Sequence, residues 1–194
     1  MKTLQVLRSI KKRFSGYTPL VEVLISKDSL LHNLAAYRKN YPKYLFAPVL
    51  KSNAYGHGFL PVARVLDKED IIFFVVDSLF EATAMRSQGI LSPILVIGYT
   101  SPHNIQYCHL RDVSFTITDL KQLEEISTSL TWKKQFHLKV DTGMHRQGIL
   151  PNQLEEALTI FKNSPRIDLV GLCSHLADAD NEDDTFTKKQ LDVW

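Results

Sequence analysis

The sequence predicts an α/β protein built on a parallel sheet. Three observations carry this reading. Six short β-branched or aromatic runs recur at a spacing of about 20 to 30 residues. Polar, helix-like segments lie between them. Capping residues stand where those segments should begin and end.

Residues 1–19 form a basic, mildly apolar lead segment, "MKTLQVLRSIKKRF", in which Arg8 and Lys11 interrupt any signal-peptide core. A short amphipathic helix is the alternative there. Residues 20–43 hold a separate strand, "LVEVLIS" (20–26), and an amphipathic helix, "KDSLLHNLAAYRK", with Leu30, Leu31, Leu34 and Tyr37 at helical spacing. Residues 44–194 hold the repeating units. Their strands are "YLFAPVL" (44–50), "IIFFVVD" (71–77), "PILVIG" (93–98), "VSFTIT" (113–118), "QFHLKV" (135–140) and "RIDLVGLCS" (166–174). Helices are expected near 58–67, 79–88, 119–130 and 151–161, with a shorter turn near 102–107. Asp119 is placed as an N-cap, Pro151 in a favoured first-turn position and Gly89 at a helix C-terminus. The tail, "NEDDTFTKKQLDVW", reads as an acidic helix start followed by an apolar face. A doubly wound sheet is complete with six strands, whereas a (β/α)8 barrel closes only at eight.

Composition narrows the function classes. Apolar residues make up 44% and charged residues 23%, with a net charge of +2. That is an ordinary globular balance, without the basic excess of a nucleic-acid-binding domain. No apolar stretch approaches the ~18 residues that span a bilayer. Two cysteines, Cys108 and Cys173, lie in apolar runs and read as buried free thiols, which suits a reducing cytoplasm. No HExxH, P-loop or GxSxG pattern occurs, and no metal site is expected. "DADNEDD" fails as a calcium loop, because counting from Asp178 puts Asp183 where Gly belongs and Lys189 where Glu belongs.

Chemistry gathers at three strand exits. In "VLKSNAYGHG", period-two reading makes Lys51 the last inward residue of its strand. Desolvation there favours a neutral, nucleophilic amine suited to a Schiff base, although a snorkelling lysine fits the same position. Behind it, Tyr55, Gly56, Gly58 and the start of the next helix suit a phosphate, while His57 reads as a loop residue. In "QFHLKVDTGMHRQG", Phe136, Leu138 and Val140 face the helices. His137, Lys139 and Asp141 share the other face, where polar groups need partners. A Lys139–Asp141 ion pair is the plain reading. Arg146 follows a glycine turn and can aim its guanidinium at an anion. "DTG" alone also occurs in aspartic proteases, which are all-β and conflict with the helical segments here. His175 stands at the last strand exit, in "SHLADAD".

Together, "VLKSNAYGHG", "LKVDTGMHRQGI" and "SHLADAD" resemble bacterial alanine racemase, a pyridoxal-phosphate enzyme. "VEVLISKDSLLHNLAAYRK" and "VVDSLFEATAMRSQGI" are similar to the family's opening strand and helix and to its second-strand segment. The resemblance runs from about Leu20 to the last residue. It implies a partial (β/α)8 TIM-type barrel of about six parallel strands, lacking the seventh and eighth strands and a C-terminal β-domain. Lys51 would hold pyridoxal 5'-phosphate as an internal aldimine and act as one of two catalytic bases. Tyr55 would bind the cofactor phosphate, Arg146 the cofactor oxygen and the substrate carboxylate, and His175 would lie beside the pyridine ring. Lys139 matches a lysine often carbamylated in the family. His145 departs from the family's usual glycine.

The implied activity is interconversion of L-alanine and D-alanine for peptidoglycan, in a cytoplasmic homodimer without nucleic-acid or membrane partners. The opposing catalytic tyrosine belongs to the portion not in this chain, so the 194 residues are expected to self-associate with little or no racemase activity. Two rivals stand beside this reading. One is another amino-acid racemase or a decarboxylase on the same barrel, and the other is a non-catalytic cofactor-binding module.

Overall fold

Parallel strands separated by helices organise the chain, as a computed structural model describing residues 20–194 shows. The lead segment at 1–19 lies outside the described residues. The first described element is α1 (Lys27–Asn40), capped by Ser26, whose Oγ accepts from the Ser29 amide at 3.2 Å. Then follow α2 (Phe59–Leu66), β1 (Phe74–Val76), α3 (Leu79–Ser87), β2 (Ile94–Val96), α4 (Pro102–Tyr107) and β3 (Val113–Ile117). The chain continues through α5 (Leu120–Ser129), β4 (Lys134–Lys139), a 3-10 turn (Pro151–Gln153), α6 (Leu154–Asn163), β5 (Ile167–Cys173) and α7 (Thr185–Val193).

The caps explain where the helices begin and end. Asp119 Oδ1 accepts from the Gln122 amide at 2.8 Å, as its position predicts. Ser78 and Glu81 form a reciprocal capping box on α3. At the other end of α3, Gly89 has φ +76°. The Ile90 amide reaches back to Met85 and the Gly89 amide to Arg86, the two bonds of a Schellman motif.

The five strands lie in strict chain order, β1-β2-β3-β4-β5, with every neighbouring pair parallel. A doubly wound sheet reverses direction at a switch point, and this one does not. The arrangement is therefore an open portion of an α/β barrel. Phe74, Ile94, Phe115, Ile117, Phe136 and Leu138 are fully buried beneath the helices. Each contributes about 1.5–3 kcal/mol of burial free energy. The opposite face carries Ser114, Thr116, His137 and Lys139, so β3 and β4 alternate apolar and polar as one-sided strands do.

Two expected strands are corrected. The run at 44–50 is extended but pairs through a single bridge, Val49 with Val75. Pro48 accepts from the Val75 amide at 2.9 Å but has no N–H to return, which breaks the ladder. Among the described residues the sheet thus has five strands, with the 44–50 run joined to β1 by one bridge, instead of six strands. "LVEVLIS" forms no strand, and Leu20, Val21, Val23 and Leu24 are exposed. Cys108 and Cys173 are both free, but only Cys108 is buried, Cys173 being half-buried at the sheet edge.

Candidate active site at the C-terminal strand ends

Lys51 stands two residues after the Val49 bridge. It opens a turn, Lys51–Tyr55, whose residues Ser52, Asn53, Ala54 and Tyr55 all have φ between +52° and +56°. Consecutive left-handed non-glycine residues cost roughly 1–2 kcal/mol each and persist only where their surroundings impose them. Local bonds supply part of that constraint. Ala54 donates to the Leu50 carbonyl at 2.9 Å, and Asn53 Oδ1 accepts from Phe59 at 3.1 Å. His57 Nδ1 lies 2.9 Å from the Ala54 carbonyl. The remaining constraint comes from α3, where Glu81 Oε1 accepts from the Ser52 amide at 3.1 Å. The strand reading of Lys51 is thereby amended: pairing stops at Leu50, and the lysine reaches the sheet interior from a turn. The first amide of α2, expected to be free for a phosphate, is occupied by Asn53.

The loop after β4 is built on Asp141, which is 8% exposed. Its Oδ1 accepts from the amides of Gly143 at 2.9 Å and His145 at 3.0 Å. Burial pushes this carboxyl upward, but those amides and the nearby His145 ring outweigh it and hold it below the usual range. Asp141 therefore folds the loop and does not pair with Lys139. His145 adopts φ +54°, and Arg146 follows it, exposed toward the strand ends. Gly148, at φ +128°, closes the loop. A Cβ there would stand 2.7 Å from the Asp141 nitrogen.

Lys51, Lys139, Arg146 and His175 line one pocket of about 450 Å³, with Asp77, Ile97 and Gln147 completing its wall. Four of the five residues singled out from sequence meet here. Tyr55 does not line the pocket and is 64% exposed at the end of the turn. Lys139 donates to Gln147 Oε1 at 3.5 Å. Burial lowers its affinity for a proton. Cys173 acts the other way, while Arg146 and Lys51 push it down again. Burial also lowers His175, reinforced by Lys139, Arg146 and Lys51. Three cationic side chains and an imidazole thus face one carboxylate, Asp77. Such a surplus of donors suits a ligand bearing phosphate or carboxylate.

Sequence reasoning missed three side chains that hold the rim. Glu81 joins the Lys51 turn to the end of β1. Gln122, 2% exposed, accepts from the Thr118 amide and donates to the Thr100 carbonyl, joining the β2 and β3 exits. Gln190 of α7 joins the β4 and β5 exits. Only Glu81 had a sequence signal, the Ser78-x-x-Glu81 capping pattern.

Fold and site define a class: the leading portion of an α/β barrel that carries a lysine within a cationic pocket at the strand C-termini. The chain belongs to the alanine racemase family. The family described as "Alanine racemase, N-terminal domain" matches residues 25–194. Alanine racemase 1 of Caldanaerobacter subterraneus subsp. tengcongensis is 34% identical over 188 residues, covering 94% of this chain and 48% of the relative. The serine/alanine racemase of Enterococcus gallinarum is 39% identical over 173 residues, covering 86% of this chain and 24% of the relative. Among solved structures, the alanine racemase of Clostridium difficile 630 in complex with cycloserine aligns with TM-score 0.78 at 31% identity. That alignment covers 86% of this chain and 47% of the other. The chain spans about half the length of most curated relatives it matches.

Proposed function

We propose that this chain supplies the lysine-bearing part of a pyridoxal-phosphate-dependent alanine racemase, which interconverts L- and D-alanine. The observation that carries the proposal is the convergence of Lys51, Lys139, Arg146 and His175 on one pocket with a single carboxylate. The donor set fits the cofactor. An amine is available for an aldehyde, and the cationic surplus suits a phosphate and a substrate carboxylate.

When bound, pyridoxal phosphate supplies an electron sink that stabilises negative charge at the substrate α-carbon. Lys51 would hold the cofactor and move the α-proton through its Nζ on one face. Arg146 would orient the substrate carboxylate, His175 would lie beside the ring, and Tyr55, outside the pocket lining, would reach the phosphate from the end of the turn. A base from outside this chain serves the other face, and two bases on opposite faces let either enantiomer form. Lys139 is proposed to carry a carbamate, an anion that would pair with Arg146. The complete protein is proposed to act as a cytoplasmic homodimer supplying D-alanine for peptidoglycan. Among the described residues, no helix is long and apolar enough to cross a membrane. Serine is a second candidate substrate, favoured by the 39% identity to the serine/alanine racemase.

Borohydride reduction in the presence of pyridoxal phosphate, followed by peptide mapping, tests the proposal. The expected result is a pyridoxyl group on Lys51. Labelling spread over surface lysines with Lys51 unmodified would reject it.

A further inference from the structure

One carboxylate on α3 serves backbone amides from two strand exits. Glu81 Oε2 accepts from Asp77 at 2.8 Å and from Ser78 at 3.2 Å, and its Oε1 accepts from Ser52 at 3.1 Å. The Ser78 bond belongs to the capping box and is sufficient for the helix. The bonds to Ser52 and Asp77 lie outside the helix's own needs. Ser52 directly follows Lys51 and is the first of the four left-handed residues. Asn53 bonds to the start of α2 and His57 within the turn, both inside their own unit. Glu81 reaches across from the next unit, 29 residues away.

We propose that Glu81 is the positioning residue for Lys51. It holds the turn in its left-handed conformation, so that Lys51 Nζ stays in the pocket, and its other oxygen sets Asp77 on the adjacent wall. The inference rests on Lys51 being the cofactor lysine. The chemistry requires a carboxylate. Three N–H groups converge on two oxygens, and an amide would turn its NH2 toward one of them. The single amide oxygen left by Glu81→Gln can serve either the Ser52 side or the Asp77 and Ser78 side, but not both.

The test compares the intact protein with Glu81→Gln and with Ser78→Ala, which removes the helix cap but leaves the bond to Ser52. Two readouts are used. Amide hydrogen exchange at Ser52 and Ala54 needs no cofactor. Borohydride-trapped pyridoxyl adduct at Lys51 is followed over time with pyridoxal phosphate as the probe. Glu81→Gln is expected to speed exchange and slow adduct formation at Lys51 by about tenfold each, the scale of one hydrogen bond to a charged group. Ser78→Ala is expected to lower the melting temperature and change neither. Unchanged exchange or adduct rate in Glu81→Gln overturns the inference, as does a Ser78→Ala variant that behaves the same way. If Glu81→Gln does not fold, Glu81→Asp replaces it, one methylene too short to span both sides, with the same expected changes. Failure of the unaltered protein to form any Lys51 adduct would overturn the cofactor reading itself, before any variant is compared.

Discussion

Gln190 Nε2 donates to the backbone carbonyl of His175 at 3.1 Å, from a side chain only 1% exposed. The same nitrogen lies 3.2 Å from Thr142 Oγ1, and Oε1 accepts from the Ala177 amide at 2.8 Å. A single amide thus locks the Asp141 loop to the loop carrying His175. Replacing it with leucine strands buried donors and acceptors on both loops. Gln190→Leu is expected to cost about 2–3 kcal/mol of stability, measured by urea unfolding. A loss within experimental error would mean that α7 does not brace the site.

The two lowered imidazoles predict an acid-side loss of stability. Burial lowers His137, and burial with three cationic neighbours lowers His175, both from the usual value of 6.5. Below that value the unfolded chain takes up protons that the folded chain resists. Stability is therefore complete above 6.5 and falls as pH drops toward the folded values. Asp141 is also lowered and adds a separate loss at more acidic pH, beginning near 3.8. Unfolding free energies across this range should show His175→Asn flattening the first decline while leaving the second.

The carbamate proposed on Lys139 is testable, and a half-buried amine that holds its proton less firmly than a surface lysine is consistent with it. Carbon-13 bicarbonate should produce a carbamate resonance that vanishes in Lys139→Arg. Persistence of the signal in that variant would place the modification elsewhere.

His145 occupies a left-handed position at φ +54°. Its amide serves Asp141, and its ring approaches that carboxylate at 3.8 Å from a largely exposed side chain. Glycine keeps the amide bond and removes the backbone strain. His145→Gly is expected to raise stability by about 0.5–1 kcal/mol, read from thermal melts. A loss would show the imidazole contact to outweigh the strain.

The sheet edge at β5 exposes Val170 and Leu172, and α7 with its C-terminal cap exposes Leu191 and Trp194. Edges of this kind pair with neighbours. The 194-residue chain on its own is expected to self-associate in light scattering, and Val170→Lys to shift it toward monomer.

Much of this was legible in the sequence because it is written locally. Alternating apolar runs and helical stretches marked the five paired strands, since burial on one face imposes period two in β4 and helical spacing in α5. The cap at Asp119 and the stop at Gly89 are local as well. The clustering of Lys51, Lys139, Arg146 and His175 followed because parallel strands deliver their C-terminal ends to one rim. Pairing at 44–50 was over-read, although Pro48, which has no amide to give, was in plain view. What the chain could not announce was the left-handed turn after Lys51. Ser, Ala and Tyr avoid that conformation on their own, and beside the turn's local bonds it is met by Glu81, which arrives from the next unit. Gln122 and Gln190 were equally silent, since a glutamine on a helix reads as surface until folding buries it. The sequence determined which residues are candidates for chemistry, through short-range pattern and backbone propensity. Tertiary structure alone decided how they are held, because a buried hydrogen bond between distant segments exists only once the chain has brought them together.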